Sequence, residues 1–466
     1  MEFDVAIIGS GPGGYRAAVL AALRGLKSAI VEAGAWGGTC LNRGCVPKKA
    51  WYHTARLLAL GDRLAERGVR GTLEPDFGAA WREQRRIVEA VRESYVDYLR
   101  RLGVAVVTGR ARLQAPGEIS VNGHRTVGAK HVVIACGSTP YVPDALPLHA
   151  GRVITTDALF DAPPPEGRRV AVVGSGVIGT EMAFILAMLG REVVWLTRAQ
   201  PLAKSRFSAP ALAALRAALA DHGIVARTAS RPVACSIAPT HVTLELPDGA
   251  AAEVDWVLVA AGRRPRTADL GLEDAGVALD GDGFVRVDER QRTTVPGVYA
   301  IGDCANRAMT SNHALAEATV AIADIVAPGS ARSHPERVPT VVYSALELAR
   351  LGLNEDEAEA AGHDTATGFA GFLASPAALA SGDARGFVRL VADADTGALL
   401  GAEGAGSHAG EWIHAVGACA DRADALAALA AICYNHPSFA EEIQNATETL
   451  AAKWGLSERV FPRHAE

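Results

Sequence analysis

The sequence predicts an α/β protein with two related doubly wound domains, followed by a C-terminal α+β segment. Two observations support this fold class. A buried strand pattern leads into a glycine-rich turn and a helix twice, over residues 3–24 and again over 169–190. After about residue 336, strand patterns such as PTVVYS and FVRLVAD alternate with alanine-rich helices such as 422–431.

Length and charge narrow the possible functions. A chain of 466 residues with 49% hydrophobic residues can form about two to four domains. Its net charge of -6 argues against a nucleic-acid partner. The first residues, MEFDVAIIGSG, enter a strand pattern directly, and Arg24 and Lys27 interrupt the best apolar run. We therefore expect no signal peptide and no membrane span, and we expect the protein to be cytoplasmic.

The first glycine-rich turn, GSGPGG at 9–14, has GxGxxG spacing between a strand pattern and a helical pattern. Gly9, Gly11 and Gly14 allow a tight turn and a close approach of the backbone to a pyrophosphate at the positive end of the helix. Glu32 ends the next strand, at the position where an acid binds the ribose hydroxyls of an adenine dinucleotide. This segment predicts a Rossmann-like dinucleotide-binding domain.

The same unit recurs at 174–179, where the sequence is GSGVIG. Each unit is followed later in the chain by a similar segment, an apolar strand pattern that ends at a glycine. These segments are VVIACGSTP around Gly137 and VLVAAGRRP around Gly262. Two bound dinucleotides are therefore expected. The predicted domains are a first dinucleotide-binding domain in two parts, 1–148 and 269–335, a second such domain at 149–268, and a C-terminal domain at 336–466.

Two of the seven cysteines lie five residues apart in GGTCLNRGCVPKKA, residues 37–50. The odd number and wide scatter of cysteines are not typical of a secreted disulfide framework. Without a second close pair to complete a four-thiolate set, the sequence predicts no metal site. On a regular helix Cys40 and Cys45 would be ~8 Å apart along the axis, too far for a disulfide. A redox role requires a break in the helix, which Gly44 can provide.

Together with VYAIGDCA at 298–305 and His436-Pro437, these motifs resemble the FAD-dependent pyridine nucleotide-disulfide oxidoreductases over nearly the whole chain. The resemblance implies that the first dinucleotide is FAD, that the second is a nicotinamide cofactor, and that the C-terminal domain forms a homodimer. The candidate cofactor-binding residues are Gly9, Gly11, Gly14, Glu32, Thr39, Gly137 and Asp303, together with Gly174, Gly176, Gly179, Arg198, Lys204 and Gly262.

The resemblance also implies roles for the cysteines and for charged residues near the flavin. Cys40 would attack the substrate disulfide, and Cys45 would contact the flavin. Lys48 or Lys49 would pair with Glu181 close to the reactive nitrogen of the flavin and would favour the reduced, anionic form.

Thiol-disulfide exchange also needs a proton acceptor and donor. The sequence YNHPSFAEE offers His436, with Glu441 five residues later to orient it. In the family this His-Pro peptide is cis, and the pair reaches into the active site of the partner subunit. A histidine that only caps a surface turn is the alternative.

The residues after the second glycine turn bear on the choice of nicotinamide cofactor. Thr197 occupies the position where NAD-preferring members carry a glutamate, and Arg198 follows it. An arginine there matches a 2′-phosphate, and Lys204 and Arg206 add positive charge. The sequence favours NADP(H) over NAD(H), with an ordinary solvated arginine as the alternative.

The substrate is less clearly indicated. CVPKK and Arg198 resemble glutathione reductases, whereas CLN, the segment 271–289 and the tail after His436 resemble dihydrolipoamide dehydrogenases. VVYSALELARLGL replaces the usual proline-containing turn, which points to a specialised substrate channel. We predict a lipoyl dithiol or disulfide, free or on a lipoylated protein, with glutathione-like disulfides as the alternative. A non-catalytic nucleotide-binding flavoprotein subunit is the alternative of another class, but every residue expected to do chemistry is present.

Overall fold

The computed structural model describes residues 2–461, which form two compact units. The first unit contains the residues up to Gly174, together with Met188–Leu196 and Ser230–Ser333. The second contains Ser175–Ala187, Thr197–Ala229 and the described residues from His334 onward.

Residues 2–461 contain 22 β-strands and fourteen α-helices. The strands are β1 (Glu2–Ile8), β2 (Ser28–Glu32), β3 (Ala105–Thr108), β4 (Ala111–Ala115), β5 (Glu118–Val121), β6 (Arg125–Ile134), β7 (Ser138–Pro140), β8 (Val153–Thr155), β9 (Arg169–Val173), β10 (Glu192–Leu196), β11 (Ala226–Arg227), β12 (Ala234–Ile237), β13 (Val242–Glu245), β14 (Ala251–Val254), β15 (Trp256–Val259), β16 (Arg263–Pro265), β17 (Val298–Ala300), β18 (Thr340–Val342), β19 (Leu348–Gly352), β20 (Thr365–Gly371), β21 (Phe387–Asp393) and β22 (Leu399–Ala405). The helices are α1 (Pro12–Leu23), α2 (Gly38–Arg43), α3 (Cys45–Ala59), α4 (Phe77–Arg101), α5 (Thr156–Asp161), α6 (Val177–Met188), α7 (Ala209–Asp221), α8 (Ser311–Val326), α9 (Glu355–Ala360), α10 (Pro376–Ser381), α11 (Ala409–Cys419), α12 (Ala425–Ala431), α13 (Glu441–Trp454) and α14 (Ser457–Val460).

The first sheet carries the first glycine turn. Its core is parallel, in the order β3-β2-β1-β6, with β17 also parallel to β6, and β5 and β4 continue it antiparallel. Val5 and Ile7 of β1 are fully buried because a central parallel strand is covered on both faces. Helix α1 begins at Pro12, three residues before the predicted start at Tyr15, because proline fits the first helical position, where its missing N–H costs nothing.

The second sheet repeats this arrangement within the first unit. Strands β10, β9, β15 and β8 are neighbours in that order, and all three pairings are parallel. The strands predicted at 169–173 and 192–196 are β9 and β10. The helix predicted at 180–190 is α6, which begins at Val177.

The C-terminal part of the second unit is α+β. Its sheet is antiparallel throughout, in the order β18-β19-β22-β21-β20. Helix α13 packs so closely on β20 that a Cβ at Gly368 would lie 2.1 Å from Ala446 O. The helix predicted at 422–431 begins only at Ala425.

The predicted fold class is confirmed by the two sheets with parallel cores and by the antiparallel C-terminal sheet. The exact domain boundaries stay predictions. Within residues 2–461, no helix combines the length and the apolar character that a membrane crossing requires.

Candidate active site

The cysteine pair lies at a break between two helices. Helix α2 ends at Arg43 and α3 begins at Cys45, with Gly44 between them at φ -137° and ψ -112°. A Cβ at Gly44 would lie 3.1 Å from Thr39 O and 3.3 Å from Cys40 Cα. The helix break expected at Gly44 is therefore present, and it brings the Cys40 and Cys45 side chains within hydrogen-bond distance of each other.

The two thiols influence each other electrostatically. The hydrogen bond with Cys45, followed by burial, raises the pKa of Cys40 well above its ordinary value. Cys40 is half-buried, whereas Cys45 is exposed in the chain and lies 3.2 Å from Ser311 Oγ through its Sγ. A negative charge on one sulfur therefore disfavours a negative charge on the other.

The segment before the cysteines is fixed by Asn42, whose buried side chain sequence reasoning did not single out. Its Nδ2 donates to Trp36 O at 3.0 Å and to Gly38 O at 2.8 Å. A Cβ at Gly38 would lie 2.7 Å from Gly11 Cα, so this segment packs directly on the first glycine turn. The fold thus places Cys40 next to the predicted FAD-binding turn.

The first glycine turn has the shape that a pyrophosphate needs. Gly9 has φ +100°, and its Cβ would lie 2.3 Å from Ala135 O, while a Cβ at Gly14 would lie 1.9 Å from Gly9 O. At Gly11, by contrast, an added Cβ would meet no described atom within 4 Å. No side chain among residues 2–461 caps the N-terminus of the twelve-residue α1. These observations fit a bound diphosphate, which would accept from the backbone N–H groups at this helix end.

Glu32 lies beside the turn with its carboxylate held in place. Its Oε2 accepts from Ser10 N at 2.8 Å and from Ser10 Oγ at 2.7 Å, and its Oε1 accepts from Gly34 N at 2.7 Å. Half-buried Thr39 is the second residue of α2. A fixed carboxylate at the end of β2 fits the predicted contact with ribose hydroxyls.

The segments that follow Gly137 and Gly262 pair with each other. Both Gly137 (φ +72°) and Gly262 (φ +130°) are left-handed, and strands β7 and β16 that follow them pair antiparallel. Arg263 Nε donates to Ser138 Oγ at 2.7 Å, and Ser138 Oγ donates to Asp303 Oδ2 at 2.5 Å. This chain of hydrogen bonds fixes Asp303 at the end of the first sheet.

Glu317 was missed by sequence reasoning, although it is one of two acids on the buried face of α8. It is buried, with Oε2 accepting from Gly302 N at 2.6 Å and Oε1 accepting from Asn306. Burial raises the pKa of Glu317, and the hydrogen bonds from Asn306 and Gly302 oppose this rise only partly. Glu317 thereby holds the Gly302 backbone on one side of Asp303 and the Asn306 side chain on the other.

The second glycine turn repeats the geometry of the first. Gly174 has φ +144°, and its Cβ would lie 2.1 Å from Ala260 O. At Gly176 an added Cβ would find open space, with no atom of the described chain within 4 Å. Gly179 is buried in the first turn of α6. The close approach at Gly174 and the space at Gly176 fit a second diphosphate.

The residues predicted to select the nicotinamide cofactor differ in exposure. Thr197 is buried, and its Oγ1 donates to Arg227 O at 3.3 Å, whereas Arg198 and Lys204 are exposed. Arg206 forms an ion pair with Glu357. Its charge is therefore engaged within the second unit, and Arg198 and Lys204 remain the better candidates for contacting a 2′-phosphate.

The predicted pairing of a lysine with Glu181 stays a prediction. Lys48 and Lys49 are half-buried among the first five residues of α3, and Lys49 Nζ lies 4.9 Å from the centre of the Tyr52 ring. Glu181 is fully buried in α6, and its Oε1 accepts from Tyr343 N at 2.8 Å.

His436 and Glu441 are in contact, and the His436-Pro437 peptide is cis. His436 Nδ1 lies 2.8 Å from Glu441 Oε1, and Ser438 N donates to Glu441 Oε2 at 2.7 Å. Burial tends to raise the pKa of Glu441, but the hydrogen bonds from Ser438 and His436 outweigh it and lower the pKa. His436 is exposed and borders a cavity of about 320 Å³, which Phe369 also lines.

Comparison with known proteins identifies the family. The model of the pyridine nucleotide-disulphide oxidoreductases matches residues 3–318, and that of their dimerisation domain matches residues 338–447. The chain belongs to the pyridine nucleotide-disulfide oxidoreductases. The predicted FAD-dependent reaction class is thereby confirmed, and the dimerisation-domain match supports the predicted homodimer.

Two relatives show how similar this chain is to enzymes of the family over nearly its whole length. It is 37% identical to a dihydrolipoyl dehydrogenase of Thermus scotoductus, over 96% of this chain and 97% of that protein. It is 34% identical to a glutathione reductase of Burkholderia cepacia, over 95% and 97% of the two chains.

Solved structures show the same fold. LpdA from Mycobacterium tuberculosis superposes with a TM-score of 0.89 at 23% identity, over 96% of this chain and 99% of LpdA. The HOCl-induced flavoprotein disulfide reductase RclA from Escherichia coli superposes with a TM-score of 0.83 at 25% identity, over 96% and 99% of the two chains.

Proposed function

We propose that this oxidoreductase passes electrons between a nicotinamide cofactor and a lipoyl dithiol or disulfide, through FAD and the Cys40-Cys45 pair. The observation that carries the proposal is the contact between these two thiols across the helix break at Gly44. A pair held this close beside a dinucleotide-binding turn can cycle between dithiol and disulfide with little movement of the backbone.

The residues at the two glycine turns fit the two dinucleotides. The turn at 9–14 would hold the diphosphate of FAD, with Glu32 at its ribose, and Thr39 and Asp303 would complete the site. When bound, FAD supplies a two-electron relay between the nicotinamide and the cysteine pair. Lys48 or Lys49, paired with Glu181, would favour the anionic reduced state by its positive charge.

The cysteines and His436 carry out the exchange with substrate. When a substrate dithiol is oxidised, a substrate thiolate attacks Cys40 Sγ, the Cys40-Cys45 bond breaks, and Cys45 leaves as a thiolate. His436 then removes the proton of the second substrate thiol, which attacks the mixed disulfide, and His436 passes this proton to the Cys40 sulfur as it leaves. The substrate loses two electrons and becomes a disulfide, and the protein pair gains those two electrons.

A lipoyl substrate is supported by the relatives. Dihydrolipoyl dehydrogenases of Thermus scotoductus and Pseudomonas aeruginosa match 96% of the chain at 37% and 34% identity. The glutathione reductase of Burkholderia cepacia, also at 34%, supports a glutathione-like disulfide as the second candidate. We further propose a cytoplasmic location, because a dithiol relay suits a reducing compartment.

The substrate proposal is tested by steady-state rates. We expect kcat/KM for lipoamide or a lipoylated protein to exceed that for glutathione disulfide at least about tenfold, which corresponds to about 1.4 kcal/mol of transition-state binding. A higher kcat/KM with glutathione disulfide would replace the lipoyl proposal by the second candidate. Absence of turnover with every disulfide would favour the non-catalytic flavoprotein.

We also propose NADP(H) as the preferred nicotinamide cofactor, since exposed Arg198 follows the position where an acid would repel a 2′-phosphate. A charge-assisted contact of this kind is worth about 1.5 to 3 kcal/mol, or roughly ten- to a hundredfold. Arg198→Ala should raise KM for NADPH by this factor and leave KM for NADH nearly unchanged. Arg216→Ala, which removes an exposed arginine from α7, is the matched control. Equal effects of Arg198→Ala on both cofactors would refute the assignment.

A further inference from the structure

Ser311 contacts the cysteine pair from the start of another helix. It is the first residue of α8, and the side chain of the preceding Thr310 accepts from His313 N. Ser311 Oγ lies 3.2 Å from Cys45 Sγ. Its hydroxyl also hydrogen-bonds to Cys40, where it acts to lower the pKa. One hydroxyl group is thus within reach of both sulfurs, although 266 residues separate it from Cys45 along the chain.

The direction of this hydrogen bond depends on the redox state. Reduction of the Cys40-Cys45 disulfide by a hydride equivalent adds two electrons and one proton, breaks the S–S bond, and leaves one thiol and one thiolate. A thiolate has no proton and can only accept, so Ser311 must donate to the sulfur that carries the charge. Because a serine has a single hydroxyl proton, it can stabilise only one of the two sulfurs at a time.

The surroundings favour Cys45 as the charged sulfur. Cys45 is the first residue of the fifteen-residue α3, and Ser311 is the first residue of the sixteen-residue α8. Two positive helix ends therefore meet at this sulfur, and each lowers the pKa of a nearby thiol. The Cys40 thiol, by contrast, has its pKa raised by Cys45 and by burial.

Titratable groups on neighbouring helices also surround Cys45. Cys40 faces it from α2, and Tyr95 of α4 interacts electrostatically with both cysteines. Burial, together with the cysteines, raises the pKa of Tyr95, so this phenol stays neutral near pH 7. Lys48 and Lys49 follow on the helix of Cys45 itself.

We propose that the Ser311 hydroxyl is a catalytic hydrogen-bond donor that stabilises the Cys45 thiolate of the reduced enzyme. The inference rests on the proposed role of Cys45 as the flavin-proximal thiol. It adds a residue that none of the family motifs in this sequence contains. It also gives α8 a chemical function, because the helix delivers both its positive end and a donor to the same sulfur.

The test is a pH titration of the reduced holoenzyme. Two-electron reduction should give a long-wavelength absorbance from the Cys45 thiolate beside the flavin, and this absorbance disappears as the thiolate is protonated. In Ser311→Ala we expect the midpoint of the titration to rise by about one pH unit, a tenfold loss of thiolate relative to thiol. Ser311→Thr keeps a hydroxyl and should keep the wild-type midpoint.

Thr319→Ala is the matched control, because it removes an exposed hydroxyl from the same helix. A midpoint in Ser311→Ala equal to that of wild type would overturn the proposal, and so would an equal shift in Thr319→Ala. Failure of the lipoyl proposal would give a different result. The kcat/KM for lipoamide would not exceed that for glutathione disulfide, while the titration midpoints of Ser311→Ala and Ser311→Thr would still differ.

Discussion

His436 Nδ1 lies 2.8 Å from Glu441 Oε1, at the start of helix α13. Glu441 is fixed independently of the histidine, because Ser438 N donates to its other carboxylate oxygen. A carboxylate that accepts from Nδ1–H leaves Nε2 as the nitrogen that exchanges protons with a substrate. This arrangement supports the proposed acid–base role and leads to the first prediction.

His436→Ala should lower the rate of disulfide exchange by about 10²- to 10⁴-fold, the usual contribution of a general acid–base group. Reduction of the bound flavin by the nicotinamide cofactor should continue at the wild-type rate, because in the disulfide-reducing direction this half-reaction precedes the exchange with substrate. Stopped-flow measurement of each half-reaction separates the two. His414→Ala, an exposed histidine on α11, should change neither. Equal slowing of both half-reactions in His436→Ala would argue against the assignment.

Gly11 and Gly14 should respond differently to alanine. A Cβ at Gly14 would lie 1.9 Å from Gly9 O, so Gly14→Ala should impair folding itself. At Gly11 an added Cβ would meet no atom of the described chain within 4 Å, so Gly11→Ala should fold normally and yet occupy space that the FAD diphosphate needs.

Circular dichroism and the ratio of flavin to protein absorbance measure these two outcomes separately. Gly128→Ala on β6, where the described chain also leaves space for a Cβ, is the control and should retain both fold and flavin. A Gly11→Ala protein with full FAD content and unchanged affinity would show that the diphosphate does not approach this glycine.

Local chemistry explains which parts of the fold and site could be predicted from the sequence. Strand β1 followed by the first glycine turn is a short-range pattern, and the steric limit that Gly9 O imposes at Gly14 is a property of that pattern. The helix break at Gly44 could be predicted from the maximum distance that a disulfide can span between two cysteines. These features need only neighbouring residues to be recognised.

The features that were missed depend on distant parts of the chain. Ser311 meets Cys45 only because the start of α8 lies beside the start of α3. Glu317 reads from sequence as one acid on a helix, and its role becomes clear only when the Gly302 N–H is seen 2.6 Å away. Tertiary packing, which no local pattern encodes, determines both contacts.

Glu357 should make stability depend on acid pH. It pairs with Arg206 and with Arg350, whose Nη2 lies 2.8 Å from Glu357 Oε2, and it accepts from Asn354 N. Burial acts to raise its pKa, but these partners prevail and lower the pKa of Glu357 from its ordinary 4.5 to about 2. Its stabilising contribution is therefore complete above about pH 4.5 and is lost as the pH falls towards 2.

Glu357→Gln should lower the thermal unfolding midpoint by about 2 to 4 °C at neutral pH, and the difference from wild type should shrink steadily below pH 4.5. Asp356→Asn, at the exposed neighbouring position in α9, should show little change at any pH. Differential scanning calorimetry over this pH range makes the comparison. A difference that stayed constant down to pH 3 would mean that the effect comes from packing rather than from charge.

The last prediction concerns the shared active site. The dimerisation-domain match covers residues 338–447 and includes His436 and Glu441, whereas Cys40 and Cys45 lie near the other end of the chain. We predict that His436 of one subunit serves the cysteine pair of its partner. A two-fold interface presents the same surface on both subunits, so each dimer would contain two such mixed sites.

Two inactive variants, Cys45→Ser and His436→Ala, should then complement each other. Random exchange at equal concentrations gives about half heterodimers, and each heterodimer has one site with both residues intact, so about a quarter of the wild-type activity should return. Native mass spectrometry verifies the exchange, and turnover of lipoamide measures the recovery. Mixing Cys45→Ser with Cys40→Ser is the control, because both variants damage the same half of the site and no heterodimer regains an intact one. If His436 served its own chain, each heterodimer site would lack one residue, and verified exchange would restore nothing.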